Sequence, residues 1–361
     1  MSDFRVVEYS EDRIDAVRAL WREQFDEDSV PKREALFRWL SEGNPFLEGR
    51  APYYLLMDGE RVVGMHGHMP LRFSVQGKVE LGYLAHDDLL SVDYRGKGLG
   101  KIMLNGVVSK VPVLAGSLWH NEGNRRLYEK AGWVGVPGFV PQLKIFDPMV
   151  FAEGRLGNGV LARIASSALK TGLRLWDLRL RHRSAVAVRI EPVERFDDRF
   201  DRFFDSISDQ LGISVVRNAA YLNWKFVEKP FNAYRRWAAF DSEGNLAGYT
   251  VAKTEPVDGY SRGLIVDVLA DPRRPEVFAE LIRACTRELA DEGVSYLSLL
   301  CTHPSFTAPL RKLGFVHARH ALNFMVINWK ERFEQEFIGR IDSWYLTHGD
   351  ADGDAWIVDV H

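Results

Sequence analysis

The chain has 361 residues, 46% apolar and 27% charged, with a formal net charge of −3. That length predicts two domains, each able to bury its own core, and the composition is that of an ordinary folded protein. The near-neutral balance gives no global pull toward nucleic acid, and no run approaches the roughly 18 apolar residues of a membrane span. Met1 to Glu8 holds no apolar signal core, so a cytoplasmic protein is expected. Cys285 and Cys301 show no metal-ligand spacing and read as reduced, structural thiols; no metal site is expected.

In chain order, Phe4 to Glu8 alternates as a short strand. Glu11 to Gln24 then places Ile14, Val17, Leu20 and Trp21 at helical spacing, with Ser10 as its expected cap. A second helix is expected over about Lys32 to Ser41. Tyr53 to Met57 and Arg61 to Pro70 read as two strands joined by the hairpin pair Asp58-Gly59. A long strand from Glu80 to Leu90 leads into Ser91 to Lys101, a basic, glycine-rich turn, and a helix follows from Ile102 to Val108. Val111 to Leu118 is a strand, Asn121 opens a helix, and strands lie around Val134 to Phe146. The series β-α-α-β-β-β-α-β-α-β implies a mixed α/β (α+β) fold with a mixed sheet.

The turn is where ligand chemistry concentrates. Gly96, Gly98 and Gly100 let the backbone approach a ligand and adopt angles closed to other residues. The helix beyond has unpartnered amides and the positive end of its dipole, a seat for a pyrophosphate, to which Arg95, Lys97 and Lys101 add full charges. The spacing is not that of a P-loop, since no Gly-Lys-Ser/Thr closes it. It is not Gly-x-Gly-x-x-Gly either, because one residue separates Gly98 from Gly100.

The pattern then returns. Trp39, Pro45 and Phe46 recur at Trp224, Pro230 and Phe231, an offset of 185; Gly64 recurs at Gly248, an offset of 184, and Gly132-Trp133 at Gly314-Phe315, an offset of 182. A nearly constant offset means an internal duplication. Asp241 to Asn245 is the hairpin turn of the second copy. Its counterpart of the glycine turn is Asp271-Pro272-Arg273-Arg274-Pro275, without glycine and with two prolines that remove amides. The second copy reads as a degenerate domain. Phe151 to Ser184 between the copies is rich in arginine, with Arg155, Arg163, Lys170, Arg174, Arg179, Arg181 and Arg183 against Glu153 and Asp177. It reads as a linker helix with a solvated basic face, or as a surface for an anionic membrane. From Trp329 a charged amphipathic helix is expected.

Arg95-x-x-Gly98-x-Gly100 resembles the acyl-CoA-binding motif of the GNAT superfamily of N-acyltransferases. A second stretch supports the match: Asn121-Glu122-Gly123-Asn124-Arg125-Arg126-Leu127-Tyr128-Glu129-Lys130-Ala131-Gly132-Trp133, with Asn124 departing from the family's usual Ala. The resemblance implies two tandem GNAT-like domains: a cofactor-binding one at 1–150, a linker at 151–184, a degenerate one at 185–330, and a helix and tail at 331–361. It implies acetyl-CoA or another acyl-CoA held by Leu90, Val92, Arg95, Gly96, Lys97, Gly98, Leu99, Gly100, Lys101, Asn121, Asn124 and Tyr128. Tyr128 would protonate the leaving sulfur. As the base, Asp88 is chosen from His86, Asp87 and Asp88; strand alternation sends Asp87 opposite the other two. His66 and His68, which share a face of the neighbouring strand, are each read as structural residues.

The implied reaction moves an acyl group to a small-molecule amine. Resemblance to tandem proteins of bacterial polysaccharide or cell-envelope synthesis points to an amino sugar. Two other readings stand beside it. A Fem-like aminoacyl transferase would take its acyl group from tRNA, against which the pyrophosphate loop and the lack of basic charge speak. A CoA-binding, membrane-associated scaffold would use the basic linker.

Overall fold

The computed structural model describes residues 4–108, 110, 114–119, 122–149, 167, 169–173, 186–231, 233–257, 259–328 and 332–350. Strand β1 (Phe4–Glu8) is followed by a short 3-10 turn and α1 (Ile14–Arg22), then by α2 (Ser29–Glu42). Ser10 stands at the cap position in extended conformation, but its side chain makes no capping bond. β2 (Tyr53–Asp58) and β3 (Arg61–Val75) meet at the expected hairpin, with Gly59 at φ 58°. β3 runs past Pro70 because it has a second partner, β4 (Lys78–Leu90), across the Gln76-Gly77 turn.

After the glycine loop come α3 (Leu99–Val108), β5 (Leu114–Trp119), α4 (Glu122–Lys130), β6 (Val134–Phe139) and β7 (Gln142–Ile145). The second half begins with β8 (Arg189–Pro192), α5 (Asp198–Ile207), β9 (Ile213–Val215) and α6 (Ala219–Phe226). It continues through β10 (Arg235–Phe240), β11 (Leu246–Val257), β12 (Tyr260–Ala270), α7 (Pro275–Asp291) and β13 (Tyr296–Leu299). It closes with α8 (Thr307–Lys312), β14 (Val316–His317), β15 (Leu322–Asn328), α9 (Gln335–Ile338) and β16 (Trp344–Tyr345). The helix expected from Trp329 is thus a single turn, ended at Gly339. Most of the basic linker lies outside the described residues, as do Asn121 and the tail from 351.

Two mixed sheets result. The first has the order β1-β2-β3-β4-β5-β15-β6, with β9 on the far end of β3 and β16 on β9. The second, read from its other edge, has the order β8-β10-β11-β12-β13-β7-β14. Position for position these agree, and in each the fourth and fifth strands form the parallel pair. Each half gives one strand away: β7 pairs with β13, and β15 lies between β5 and β6. A division by sequence at residue 150 therefore does not coincide with the division by sheet.

The repeated residues occupy matching places. Gly64 faces Leu90 and Gly248 faces Ala270, and at both a Cβ would press on the opposite strand, 3.2 Å from the Leu89 carbonyl and 2.6 Å from that of Leu269. Gly132 and Gly314 take φ 88° and 84° after α4 and α8, where Trp133 N–H returns to the Tyr128 carbonyl (3.1 Å) and Phe315 N–H to that of Leu310 (3.0 Å). Trp39 and Trp224 touch: their rings stack at 4.5 Å, and each indole N–H donates to the other's carbonyl, at 3.0 and 3.3 Å. Equivalent residues bonding reciprocally lie on a local two-fold axis.

The core forms on both faces of the first sheet. Trp21 and Phe37 from α1 and α2 cover Tyr53, Leu55 and Met57 on one face. On the other, Leu99 and Met103 of α3 pack on Leu56 and Val63, and Leu104 and Val108 join Tyr83, Ala85, Tyr128 and Trp133.

Candidate active site

The site is where the first sheet opens. β4 and β5 pair in parallel through Gly82–Leu114, Tyr83–Ala115 and Leu84–Gly116, and then part, while β4 runs on to Leu90. Beyond Leu84 the β5 side of β4 therefore has no ladder partner among the described residues, which leaves main-chain groups for a ligand to bond. Asp88 lies on this stretch, at the cleft that opens where the two strands part; the residue is exposed and its side chain is 26% exposed.

A bulge sets what faces the cleft. The β3–β4 register shifts between Met65 and Gly67, and Asp87 takes the left-handed value φ 51°. The extra residue cancels strict alternation. His86 packs on Tyr53 (ring centroids 5.1 Å) and Asp87 bonds Arg33 of α2 (3.4 Å), while Asp88 turns the other way, to Tyr128. The expected placement of Asp87 opposite both His86 and Asp88 is corrected accordingly: His86 and Asp87 share the α2 side. Gly67 makes room for this, since a Cβ there would lie 2.3 Å from the His86 ring.

Asp88 is the hub. The Tyr128 hydroxyl donates to its Oδ2 at 2.6 Å, and His66 Nδ1 bonds its Oδ1. An ionised carboxylate only accepts, so the proton of the second bond sits on His66 Nδ1. Burial pushes the Asp88 carboxyl up, but the adjacent His66 and the bonds from His66 and Tyr128 outweigh it and hold the group below the usual carboxylate value. Burial lowers His86 to about 3 and His68 well below the ordinary histidine value, so both are neutral. Tyr128 is 1% exposed, held edge-on to Trp133 at 4.8 Å. His66 was read from the sequence as structural; its bond to Asp88 depends on the bulge, which alternation does not foretell.

The glycine loop lies beside the cleft. Gly96 and Gly98 take φ 75° and 77°, with no described atom within 4 Å of a Cβ at either, an open cradle before the first amides of α3. Gly100 serves packing instead: a Cβ there would meet Leu127 of α4 at 2.9 Å. Leu99 is buried, while Lys97 and Lys101 are exposed. Arg95 braces the loop, donating to the Leu90 carbonyl (3.2 Å) and to Gln24 at the end of α1 (2.8 Å). Val92 starts a 3-10 turn, its carbonyl taking the Arg95 N–H. Asn124 is half-buried in the first turns of α4. The open glycine cradle and the free main chain of β4 fit an acyl-CoA.

The matching place in the second half is filled. β12 and β13 pair as far as Ile265–Leu299, and beyond that the segment Trp344–Asp350 enters. Thr302 donates to the Trp344 carbonyl, Thr347 bridges Cys301 and donates to Asp267 (2.9 Å), and Tyr345 donates to the Val268 carbonyl. Fully buried Arg217 ties the segment down, bonding Asp267 at 3.3 Å and Asp350 at 2.6 Å. The counterpart of Tyr128, Leu310, is buried and apolar.

Residues 14–133 match the model of the acetyltransferase (GNAT) family. No curated protein matches the sequence significantly. Among solved structures, the chain resembles a GCN5-related N-acetyltransferase from Anabaena variabilis, with TM-score 0.60 and 13% identity over 90% of this chain and 72% of that one. It also resembles N-myristoyltransferase from Saccharomyces cerevisiae with bound myristoyl-CoA, with TM-score 0.57 and 13% identity over 91% and 79%. A probable N-acyltransferase from Enterococcus faecalis gives TM-score 0.57 and 12% identity over 91% and 72%. At these identities the likeness establishes a shared fold over both halves. No described helix is long and apolar enough to cross a membrane.

Proposed function

We propose that the protein is a GNAT-type N-acyltransferase, moving an acyl group from acetyl-CoA or a related acyl-CoA to the primary amine of a small molecule. The observation that carries this is the Tyr128–Asp88 hydrogen bond on the floor of the β4–β5 opening, beside the open cradle of Gly96 and Gly98. The family match to residues 14–133 supports it.

Gly96, Gly98, Lys97, Lys101 and the first amides of α3 hold the pyrophosphate, and the main-chain amides of β4 toward Leu90, with that of Val92 in the turn beyond, take the pantetheine. Asn124 and Tyr128 complete the wall, and Asn121 is assigned to the same cofactor on sequence resemblance alone. Bound acyl-CoA supplies an activated acyl group and a sulfur that must leave protonated. Asp88, kept ionised, accepts the proton that the attacking amine gives up. Once protonated it becomes a donor, and the Tyr128 hydroxyl, which gave its hydrogen bond to Asp88, gives its proton to the sulfur and takes that of Asp88 in return. The proton lost by nitrogen thus ends on sulfur, and both side chains return to their starting state. An amino sugar is the acceptor we propose, on sequence resemblance alone.

The second half holds no acyl-CoA in this reading, and supports the first. The test is calorimetric titration with acetyl-CoA, then thiol release with a panel of amines and amino sugars. Binding with acceptor-dependent thiol release is expected; failure of acetyl-CoA and longer acyl-CoAs to bind would end the proposal.

A further inference from the structure

We infer that His66 is a positioning residue of the transfer site, acting through Asp88 on Tyr128. The inference deepens the acyltransferase reading, and rests on it for the reaction. Its structural content stands separately.

Asp88 has two oxygens and two side-chain partners, one for each: Tyr128 at Oδ2 and His66 at Oδ1. They come from different elements, Tyr128 from α4 and His66 from the neighbouring strand β3, and each meets a different oxygen, so together they restrain both the position and the rotation of the carboxylate. Remove His66, and a carboxylate on a bulged strand keeps a single side-chain anchor among the described residues. His66 itself is held firmly. Its side chain is 0% exposed and its ring lies edge-on to His68 at 4.8 Å, while His68 stacks on Tyr83 at 3.7 Å and meets Tyr54 at 4.8 Å. A ring buried in that stack cannot swing away from Asp88 without displacing its neighbours.

The other titratable groups facing Asp88 do not take this role. His68 and Tyr83 stack beside His66 and are buried, His86 lies across Gly67 on the other face, and Lys225 of α6 acts on His86. The charge of Asp87 is met by Arg33 on the α2 side. Among the described residues, then, His66 is the one histidine that bonds Asp88. A tightly held carboxylate matters because proton transfer requires donor and acceptor within hydrogen-bond reach, and the Tyr128 hydroxyl is placed by the oxygen it bonds.

The test uses the full chain and the variants H66F, H66N and H66Q. Asparagine can set an N–H where Nδ1 stands; glutamine keeps bulk and polarity but sets its amide where the far nitrogen lies. Carboxyl carbon resonances of aspartate-labelled protein are followed against pH, with Asp88 assigned by its loss in D88N. In the wild type Asp88 should titrate below the usual carboxylate value. In H66F and H66Q its midpoint should rise by about one unit or more as the bond is lost, and in H66N it should rise less, because asparagine restores the bond but not the rest of the imidazole's electrostatic effect. Where turnover is measured, H66F should lower kcat about tenfold with KM for acyl-CoA little changed, and the acid limb of the pH profile should move up with the Asp88 midpoint. If H66F does not fold, H66Q carries the comparison. An Asp88 midpoint unmoved in both H66F and H66Q would overturn the inference, whether or not the protein transfers acyl groups. Failure of acyl-CoA to bind the wild type, with the midpoints shifting as expected, would instead overturn the acyltransferase reading alone.

Discussion

The hydroxyl of Tyr128 and the carboxylate of Asp88 meet at 2.6 Å, and a single oxygen separates their roles. Tyr128→Phe removes that oxygen while keeping the ring against Trp133, so folding and acyl-CoA binding should persist. If Tyr128 is the acid of the proposed reaction, this change should lower kcat about 100-fold, read from thiol release at saturating substrate. Gly98 tests the other part of the site. Its φ of 77° is open to glycine and costs a β-branched residue roughly 1–3 kcal/mol, which the loop can relieve only by leaving its cradle shape. Gly98→Val should therefore weaken acyl-CoA binding about tenfold or more by calorimetry, with a loss of thermal stability no greater than that backbone strain, because no described neighbour stands close enough to clash. Unchanged binding would remove the loop from the site.

At the scale of elements, the two halves use one opening in opposite ways. In the first, β4 and β5 part and no described segment enters the gap beside the glycine loop. In the second, Trp344–Asp350 closes the gap, and Arg217 makes the closure firm by pairing with Asp267 and Asp350 away from water. A buried cluster of this kind stabilises little against an apolar replacement of the whole set, but losing one member strands the others. Arg217→Ala should cost about 3–5 kcal/mol, measured by urea unfolding. The same closure predicts one acyl-CoA per chain; calorimetry returning two would mean that the segment leaves its slot.

For the whole molecule, the exchanged strands bind the halves into one unit. A chain cut at residue 150 would carry β7 without its partners β13 and β14, and would lack β15 from the middle of its own sheet. Residues 1–150 alone should not give a cooperative unfolding transition, whereas the full chain should unfold in one. Acid should weaken that fold in a defined window. His86, lowered to about 3, and His68, lowered well below its ordinary value, stay neutral when folded but take up protons when unfolded near 6.5. Their contribution is thus complete above about pH 6.5 and is lost as pH falls toward the folded values. Each should remove about 1.4 kcal/mol per pH unit in that window, and His86→Phe should lessen the slope by one proton. The depressed carboxyl of Asp88 acts in the same direction at lower pH, its contribution present above the usual carboxylate range and lost below it.

Much of this was legible in the residues themselves. The Asp58-Gly59 hairpin, the apolar spacing of α1, and the strand-loop-helix of β4, the glycines and α3 are local matters, decided by backbone freedom and the period at which apolar groups recur. The recurring glycines were legible too: Gly64 and Gly248 face the neighbouring strand closely, and Gly132 and Gly314 take positive φ after a helix, at matching places in the two sheets. Three things required the tertiary structure. The bulge at Asp87 reverses the alternation on which the choice among His86, Asp87 and Asp88 depended, since one extra residue in a ladder turns every side chain beyond it. The exchange of β7 and β15 could not be read from order along the chain, because a strand carries no mark of which sheet it joins. The bond between His66 and Asp88 joins residues on two strands whose register the bulge alone sets. Local chemistry thus determined the elements and the cradle, while the long-range pairing of strands decided which side chains meet on the floor of the cleft.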